Sequence, residues 1–348
     1  MAGRPTINTV AAAAGVSRQT VSNTINSPQI VDPRTRQRVL AAIEQLNYTP
    51  SAAAAQLRTR RSRVIGLRLQ PETDGINGAV LDRFLHAFTV AAQRESYRVM
   101  LFTAPDDAAE IAQYSQLVAA SNVDAFLLTS THAGDPRTAW LASQGLPFVT
   151  FGRPWTQLSE ADRHAWVDVD GAAGTRLATE HLLQLGHRRI AYVGFPRSAD
   201  LADERLSGWA TAMADVVSAE SREHLARHVC DGVDAGSRAA ESLLAESEPT
   251  AFVCASDSLA LGALSHVRRI GQRCAVIGFD DTPVAAAVDL ASVAQPLTQA
   301  AEAAFDLVLA QLNGESPSPR QYLLTPHLAL RGSGSVTPDP STSRTESE

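Results

Sequence analysis

The chain has 348 residues, 45% of them hydrophobic, which is typical of a soluble globular protein built from two or three compact units. It contains no run of about 18 apolar residues, and its first residues lack the layout of a secretory signal, so we expect a cytoplasmic protein with no membrane segment. Its three cysteines, Cys230, Cys254 and Cys274, are odd in number and lie in or beside apolar stretches, which argues against a disulfide framework or a metal cluster.

The net charge of −7 is divided unequally along the chain. Residues 1–63 carry nine arginines against Asp32 and Glu44, a balance of +7, whereas residues 64–348 carry 21 arginines against 35 acidic residues. A basic module on an acidic body is expected when one small domain binds a polyanion and the rest of the protein stays soluble. Nucleic acid is therefore the first partner to consider.

Three short helices are predicted in the basic region, between residues 6 and 46. Thr6, Ser17 and Asp32 each precede a helix-forming stretch and are suitable N-caps, and Gly15 supplies the turn between the first two helices. The apolar positions of these two helices can form the inside of a compact pair: Ile7, Val10, Ala14, Val16, Val21 and Ile25. The pattern predicts an all-α, helix-turn-helix head.

The polar face of the second helix is the candidate DNA-reading surface. A major groove accepts one helix whose first turns present forked or hydrogen-bonding side chains to base edges, and Arg18, Gln19 and Asn23 fit that role. The remaining expected DNA contacts in the head are Thr6, Ser17, Thr20, Ser22 and Asn26. The alternative is an alanine-rich hairpin whose polar face is only solvated, and the charge asymmetry argues against it.

From Val64 onward, short apolar strands alternate with amphipathic helices. The predicted strands are VIGLRL, RVMLF, DAFLLTS, PFVTF, AWVDV, RIAYVG, AFVCAS and AVIGF. This alternation is typical of parallel sheets covered on both faces, and because the series restarts near Trp166 we predict two doubly wound α/β lobes with a ligand cleft between them. Residues 333–348 are rich in Ser, Thr and Pro, so we expect a disordered tail there.

Several motifs resemble those of the LacI/GalR family of bacterial repressors. The head matches through TINTVAAAAGVSRQTVSNTINSPQIVDPRTRQRVLAAIEQLNYTPSAAAAQL, and the body through HLLQLGHRRIAYVG, RLSGW, ASDSLALGALSHV and VIGFDDTP. The resemblance implies a DNA-binding domain at 1–50, a hinge helix and linker at 51–63, and an effector and dimerisation domain at 64–332 similar to periplasmic sugar-binding proteins. The expected lobe segments are about 64–165 and 294–324 for the N-lobe, and about 166–293 and 325–332 for the C-lobe.

The resemblance also implies a second DNA contact, in the hinge at residues 51–58. Leu57 would be pushed into the minor groove, with Ala54 and Arg58 beside it. An apolar wedge of this kind unstacks one base step and bends the duplex, so that two heads engage half-sites on one face. We therefore expect a homodimer on a pseudo-palindromic operator. The alternative is a plain linker helix in which Leu57 packs on its own head.

Five residues are the candidate effector contacts. The family match supplies Arg153, Arg205, Ser256 and Asp280, and the loop after the first strand adds Asn77. Carboxylates accept hydrogen bonds from ligand hydroxyls and arginines donate to them, so a small ligand, most simply a carbohydrate, is the expected partner. A purine or nucleoside corepressor, or a sugar phosphate sensed through Arg153, remains the alternative. The sequence leaves induction and corepression equally open.

Two of these residues also have plain structural interpretations. Arg205 could pair with the neighbouring Asp203 or Glu204, and Asp280 could cap the helix that starts at Thr282. The lactose-repressor type commonly has an asparagine where this chain has Ser256. Because of such departures, the identity of the effector does not transfer from the family.

An enzyme is not expected, although doubly wound lobes also host kinases and hydrolases. The sequence has no GxGxxG after a strand, no Walker loop and no GxSxG, and His181 and His187 lie six residues apart, a spacing that does not suit a helical metal pair. We therefore predict no catalytic residue, no cofactor and no metal site. The basic head argues against an exported solute-binding protein, and the absence of a heptad pattern in the tail favours a dimer over a tetramer.

Overall fold

A computed structural model describes residues 5–49, 61–69, 78–155, 164–197 and 200–338. The expected hinge contacts Ala54, Leu57 and Arg58 lie outside the described residues, as does the expected effector contact Asn77. Within the described segments, every helix is too short or too polar to cross a membrane.

The first compact unit of the chain, Met1–Arg63, is a three-helix head. Its helices are α1 (Ile7–Ala14), α2 (Arg18–Asn26) and α3 (Pro33–Gln45). Each predicted N-cap is confirmed, because the side chains of Thr6, Ser17 and Asp32 accept hydrogen bonds from backbone amides of the first helical turn. Gly15 has a φ of +62°, a left-handed conformation that favours glycine, so the turn lies where the sequence predicts it.

One residue from each helix forms the centre of the head. Val10, Val21 and Val39 are fully buried there. The guanidinium of Arg38, on α3, donates hydrogen bonds to the carbonyl oxygens of Ala14 and Gly15. The third helix therefore holds the turn between α1 and α2 by polar contacts as well as by packing.

The second compact unit, Val64–Glu348, contains two six-stranded sheets. The strands of the first are β1 (Val64–Leu69), β2 (Arg98–Thr103), β3 (Ala125–Thr129), β4 (Phe148–Phe151), β5 (Ala165–Val169) and β11 (Gln321–Leu324). They lie in the order β11-β5-β4-β3-β1-β2, with every pair parallel. The helices of this N-lobe are α4 (Gly78–Arg94), α5 (Asp107–Ala119), α6 (Pro136–Ser143) and α13 (Leu297–Leu312). Ile65 and Leu67 belong to one core and Val64 to another, because successive side chains of a strand point to opposite faces.

The second sheet forms the C-lobe. Its strands are β6 (Ile190–Gly194), β7 (Ala226–His228), β8 (Ala251–Cys254), β9 (Ala275–Phe279), β10 (Ala291–Ala294) and β12 (His327–Ala329). They lie in the order β12-β10-β9-β8-β6-β7, and only the β10–β12 pair is antiparallel. Its helices are α7 (Gly171–Gln184), α8 (Asp200–Ala212), α9 (Ala219–His224), α10 (Val233–Ser247), α11 (Asp257–Arg269) and α12 (Pro283–Ala287).

The boundary between the lobes differs from the sequence expectation. Residues 165–169, the AWVDV strand, pair with β4 and β11 in the first sheet, so the second lobe begins after this strand and not at Trp166. The expectation was wrong because AWVDV opens a new run of strands along the chain, whereas its partner β11 comes more than 150 residues later. The short strands β7, β10, β11 and β12 were not predicted either.

The expected tail starts too early. The side chain of Ser333 is buried, where its hydroxyl donates to the carbonyl of Val276 (2.6 Å) and accepts from the amide of Ala291 (2.8 Å). The Nε2 atom of His187 contacts the carbonyl oxygen of Val336 at 2.8 Å. Composition alone had assigned residues 333–338 to the tail, and that assignment is wrong because specific polar contacts fix this segment on the C-lobe.

Candidate functional site

The first candidate surface is the polar face of α2. Arg18, Gln19 and Asn26 are exposed, and the Gln19 amide donates a hydrogen bond to Asn23 Oδ1 at 2.9 Å. The Asn26 amide donates to the carbonyl oxygen of Ser22 at 2.7 Å. The face therefore carries a guanidinium and an ordered pair of amides within two turns of the helix N-terminus.

The caps add hydroxyl groups at the start of this face. The hydroxyls of Ser17 and Thr20 lie 2.9 Å apart, and Ser17 Oγ also accepts from the Thr20 amide at 3.1 Å. Thr6 forms a reciprocal capping box with Thr9 at the start of α1. Helix N-termini of this kind bind phosphate oxygens, while forked side chains read base edges. The head thus presents the chemistry that a major-groove reader needs.

The second candidate site lies at the carboxyl ends of the C-lobe strands, and Arg205 on α8 is at its centre. The Arg205 guanidinium is buried, stacks 3.7 Å from the ring centroid of Phe279 and donates to the carbonyl oxygen of Ala255. Its NH2 atom lies 3.8 Å from Asp280 Oδ1, an ion-pair distance but not a hydrogen bond. Among the described residues, its Nε atom has no hydrogen-bond partner. Arg205 therefore keeps unused donor capacity in a buried place.

Asp280, which follows β9, faces Arg205. Its Oδ1 atom accepts from the Gln295 amide at 2.7 Å, and its φ of +114° lies in a region that side-chain-bearing residues rarely adopt. Burial raises the pKa of Asp280 to about 7, although Arg205 opposes the shift. The backbone of Asp280 is thus strained, and the charge of its carboxylate is only weakly compensated. A carboxylate in this state is suited to accept a hydrogen bond from a ligand.

Both structural alternatives for these residues are wrong. Asp203 pairs with Arg197 (3.4 Å) and Glu204 with Arg153 (2.6 Å), so neither acid is the partner of Arg205. Helix α12 is capped by Thr282, whose side chain accepts from the Ala285 amide, and not by Asp280.

Ser256 is part of a buried polar network under the site. Its hydroxyl donates to Asp231 Oδ1 at 2.6 Å and accepts from the Leu259 amide at 3.1 Å, as the N-cap of α11. The adjacent Asp257 accepts from the Thr282 amide (2.7 Å) and from the Ser292 hydroxyl (2.6 Å). Ser256 therefore holds Asp231 in place, and its own hydroxyl is already engaged.

Arg153, at the end of β4, is engaged on both sides of the cleft. Its Nε atom lies 2.7 Å from Asp168 Oδ2 in the N-lobe, and its NH2 atom lies 2.6 Å from Glu204 Oε1 in the C-lobe. The guanidinium also lies 5.2 Å from the ring centroid of Trp155. Burial raises the pKa of Glu204, and Arg153 opposes that shift. Arg153 is thus a bridge between the lobes as the structure stands.

Two further hydrogen bonds join the lobes. The Ala133 amide donates to Asp200 Oδ2 at 2.8 Å, and Arg83 NH1 donates to the carbonyl oxygen of Asp281 at 3.1 Å. The donors lie in the N-lobe and the acceptors at the start of α8 and after β9. The cleft is therefore held by polar contacts that a ligand or a lobe movement can replace.

One group of side chains in the N-lobe has the composition of a cation site. Ligand atoms of Asp107, His132 and Asp135 lie within 4.8 Å of one another. However, Arg137 NH2 pairs with Asp135 Oδ2 at 2.6 Å, and its Nε atom lies 3.6 Å from Asp107 Oδ1. Because an arginine already compensates these carboxylates, the group resembles an internal ion-pair network more than a metal centre.

Sequence reasoning missed three groups at the cleft. Gln295 follows the unpredicted strand β10, and Asp231 follows the unpredicted strand β7. Phe195 follows β6, and its ring centroid lies 5.8 Å from the Arg205 guanidinium. A rule that examines each residue after a parallel strand would have found Phe195, but the short strands carry too few apolar residues to be recognised.

Comparisons with known proteins match both units. The family model for bacterial regulatory proteins of the lacI family matches residues 6–51, and a periplasmic binding protein-like domain matches residues 179–334. The transcriptional regulator CelR of Thermobifida fusca is 34% identical over 344 residues, covering 95% of this chain and 98% of the relative. The ribose operon repressor of Haemophilus influenzae is 29% identical, covering 94% of this chain and 98% of that protein.

Solved structures agree with these matches. A CelR–cellobiose complex is 31% identical with a TM-score of 0.68, covering 95% of this chain and all of that one (100%). A lac repressor dimer bound to operator and the anti-inducer ONPF is 25% identical with a TM-score of 0.78, covering 96% of this chain and 100% of that one. Both similarities extend over the head and the body.

Proposed function

Because this chain belongs to the LacI family of bacterial regulatory proteins, it is a DNA-binding transcription regulator and not an enzyme, and we propose that it represses transcription under the control of a sugar. The expected architecture, a helix-turn-helix head and a periplasmic-binding-protein-like body, is confirmed. The proposal concerns the finer points: which small molecule binds, which residues hold it, and how DNA binding responds.

The observation that carries the proposal is the pair formed by Arg205 and Asp280. Both side chains are buried at the carboxyl ends of parallel strands, yet they are too far apart for a direct hydrogen bond. Buried polar groups are normally hydrogen-bonded, and an arginine with an unpartnered Nε–H beside a carboxylate that can accept further hydrogen bonds fits a ligand that both accepts and donates. A sugar hydroxyl, which donates to Asp280 and accepts from Arg205, completes the pair.

The rest of the cleft favours a neutral polyol over a phosphate. Arg153 is the arginine that would bind the phosphate of a sugar phosphate, but Asp168 and Glu204 already neutralise its charge. The remaining groups close to Asp280 include the carboxylates of Asp257 and Asp231, which repel an anion. Similarity to a regulator whose structure is a cellobiose complex supports a carbohydrate effector.

We further propose that two chains bind one pseudo-palindromic operator. Arg18, Gln19 and Asn23 read base edges in each half-site, and Leu57 is the wedge in the minor groove between them. The related lac repressor structure is a dimer on its operator, which supports this arrangement. Ala54 and Arg58 are the proposed neighbours of the wedge.

The switch follows from the polar contacts that join the lobes. A sugar that favours one lobe arrangement shifts the population of chains competent to bind DNA. A coupling free energy of about 1–3 kcal/mol changes operator occupancy about 5- to 150-fold. The proposal therefore needs a ligand that adds or removes the equivalent of one or two hydrogen bonds between the lobes.

A thermal-denaturation screen of the full chain tests the proposal. Cellobiose, ribose, a sugar phosphate and purine bases are the probes, because a ligand that binds the folded state raises the melting temperature. We expect a sugar to raise it, and Arg205→Ala to abolish the shift. Arg268→Ala, which removes an arginine on the far end of α11, is the matched control and should leave the shift intact.

The outcomes separate the alternatives. A shift with purines and none with sugars would establish the corepressor alternative. A sugar shift that survives Arg205→Ala would place the effector elsewhere. Operator DNA selected from a fragmented genome, titrated with and without the active sugar, then shows whether the ligand weakens or strengthens DNA binding.

A further inference from the structure

Among the described residues, four buried side-chain polar atoms have no hydrogen-bond partner: Tyr192 Oη, Glu204 Oε2, Arg205 Nε and Arg68 Nε. Three of them lie on β6 and α8, the elements that carry the proposed effector site. Arg205 and Glu204 are already part of the cleft described above. Tyr192 lies on the neighbouring strand β6, and a buried hydroxyl without a hydrogen-bond partner is unusual in a folded protein.

The Tyr192 hydroxyl points along β6 towards the carboxyl end of the strand. The tyrosine is fully buried, and its ring packs 5.6 Å from the ring centroid of Trp209 on α8. A Cβ atom at Gly194, the last residue of β6, would lie 2.7 Å from the hydroxyl oxygen. Only glycine leaves space here for the Tyr192 side chain, because the same Cβ atom would lie even closer to the ring carbon Cε1.

Charged groups of α8 surround this end of the strand. Burial raises the pKa of Tyr192, while the positive charge of Arg205 opposes the shift and Asp203 adds to it. The phenol therefore stays protonated near neutral pH and can both donate and accept a hydrogen bond. The Arg205 guanidinium, which lies within electrostatic reach, has a spare donor of its own at Nε.

Helix α8 lies at the boundary between the two lobes. Two of the hydrogen bonds that join the lobes in the described part of the chain end on α8, at Asp200 and Glu204. The same helix carries Arg205 and packs Trp209 against the Tyr192 ring. Contacts of the cleft and the surroundings of the Tyr192 side chain are therefore built on one helix.

We propose that the Tyr192 hydroxyl is a further effector-binding group, which forms a hydrogen bond with a sugar hydroxyl next to Arg205. This inference rests on the proposed function of the cleft and adds a residue to the five candidate effector contacts. It gives a role to a buried hydroxyl that has no hydrogen-bond partner among the described residues.

Tyr192→Phe is the direct test, since it removes only the hydroxyl. Binding of cellobiose, or of the sugar that the thermal screen identifies, is measured by calorimetry on the full chain. The dissociation constant should rise about fivefold, the effect of one typical net hydrogen bond. The melting temperature of the sugar-free chain should stay the same or rise, because the hydroxyl has no partner to lose.

Tyr114→Phe is the matched control. The Tyr114 hydroxyl, also buried, donates to Glu110 in the N-lobe. Its removal should lower the melting temperature and leave sugar affinity unchanged. The two variants thus predict opposite patterns, which a purely structural role for Tyr192 does not produce.

Three results would overturn the inference. Equal sugar affinity in Tyr192→Phe and wild type removes the hydroxyl from the site and leaves the proposed function standing. A fall in the sugar-free melting temperature as large as that of Tyr114→Phe shows that the hydroxyl has a structural partner. A wild-type chain that binds no sugar overturns the proposed function, and this inference with it.

Discussion

Replacing Asp280 by asparagine tests the charge state on which sugar binding should depend. The ionised carboxylate accepts a stronger hydrogen bond from a sugar hydroxyl than the neutral acid does, and burial raises the pKa of Asp280 to about 7. Acidification through this range therefore converts the binding form into a neutral acid. We expect sugar affinity to fall as the pH falls from 8 to 6.

The pKa sets the size of this effect. With a pKa of about 7, the ionised fraction is about nine-tenths at pH 8 and about one-tenth at pH 6, so the apparent dissociation constant rises about tenfold. A pKa one unit lower or higher changes the factor to about 2 or about 50. At pH 8, Asp280→Asn should weaken binding about 10- to 100-fold, because it removes a hydrogen bond to a charged group.

Calorimetric titrations of both proteins at pH 6, 7 and 8 provide the assay. The asparagine variant should bind weakly with no pH dependence, since it has lost the titrating group. A flat profile in the wild type, or the same slope in both proteins, would refute the assignment of Asp280 as the ionised acceptor.

The stability of the sugar-free chain provides an independent control for the same substitution. Because burial raises the pKa of Asp280 in the folded state from 3.8 to about 7, this carboxylate destabilises the fold progressively as the pH rises from about 4 to about 7, and the cost stays constant above pH 7. Relative to wild type, Asp280→Asn should therefore be more stable at pH 8 than at pH 5. A stability difference that is independent of pH would show that the group titrates normally.

Three further outcomes are expected. Leu57→Ala should weaken operator binding far more than binding to random DNA, as measured by fluorescence anisotropy, and equal losses would exclude the wedge. Gln19→Ala should reduce operator discrimination about 5- to 150-fold, the value of one base contact, whereas Gln45→Ala on α3 should leave it unchanged. A chain that ends at Arg331 should melt at a lower temperature than one that ends at Pro338, because it loses the buried hydroxyl of Ser333; equal melting temperatures would contradict the packing of this segment.

The head was predictable because its signals are local. Thr6, Ser17 and Asp32 each lie directly before the helix that they cap, and Gly15 adopts the conformation that its turn needs. A cap is a contact within three residues of sequence, so its partner can be read from the same short segment. The same locality explains why the third helix was placed to within one residue of its end.

The lobe boundary was not predictable from local pattern. The AWVDV strand has the same apolar composition as its neighbours, and only its pairing with β4 and β11 assigns it to the first sheet. The pairing with β11, which lies more than 150 residues later in the chain, leaves no mark on a short window of sequence. The tail was misassigned for the same reason, since the Ser333 hydroxyl finds its partners on β9 and β10.

The candidate site shows the same division. The family resemblance implied that Arg205 and Asp280 share one cleft, and the structure brings them to 3.8 Å. The two ion pairs of Arg153 were not predicted, because its partners Asp168 and Glu204 lie in different lobes and are distant from each other in the sequence. The sequence therefore indicated residues that the structure brings together, but could not indicate which of their charges are already compensated.

The proposed switch acts through Arg153, whose charge is compensated by Asp168 in one lobe and by Glu204 in the other. The contacts that join the lobes are each worth on the order of 1 kcal/mol when half-buried, so together they amount to a few kcal/mol, which is the range of typical allosteric coupling. A sugar that inserts beside Arg153 and leaves its bonds to Asp168 and Glu204 intact adds contacts between the lobes and favours the joined arrangement. A sugar that takes Glu204 away from Arg153 removes the strongest of them and favours separation. Whether Arg153 keeps its bond to Glu204 when the proposed effector binds therefore determines which lobe arrangement that effector favours.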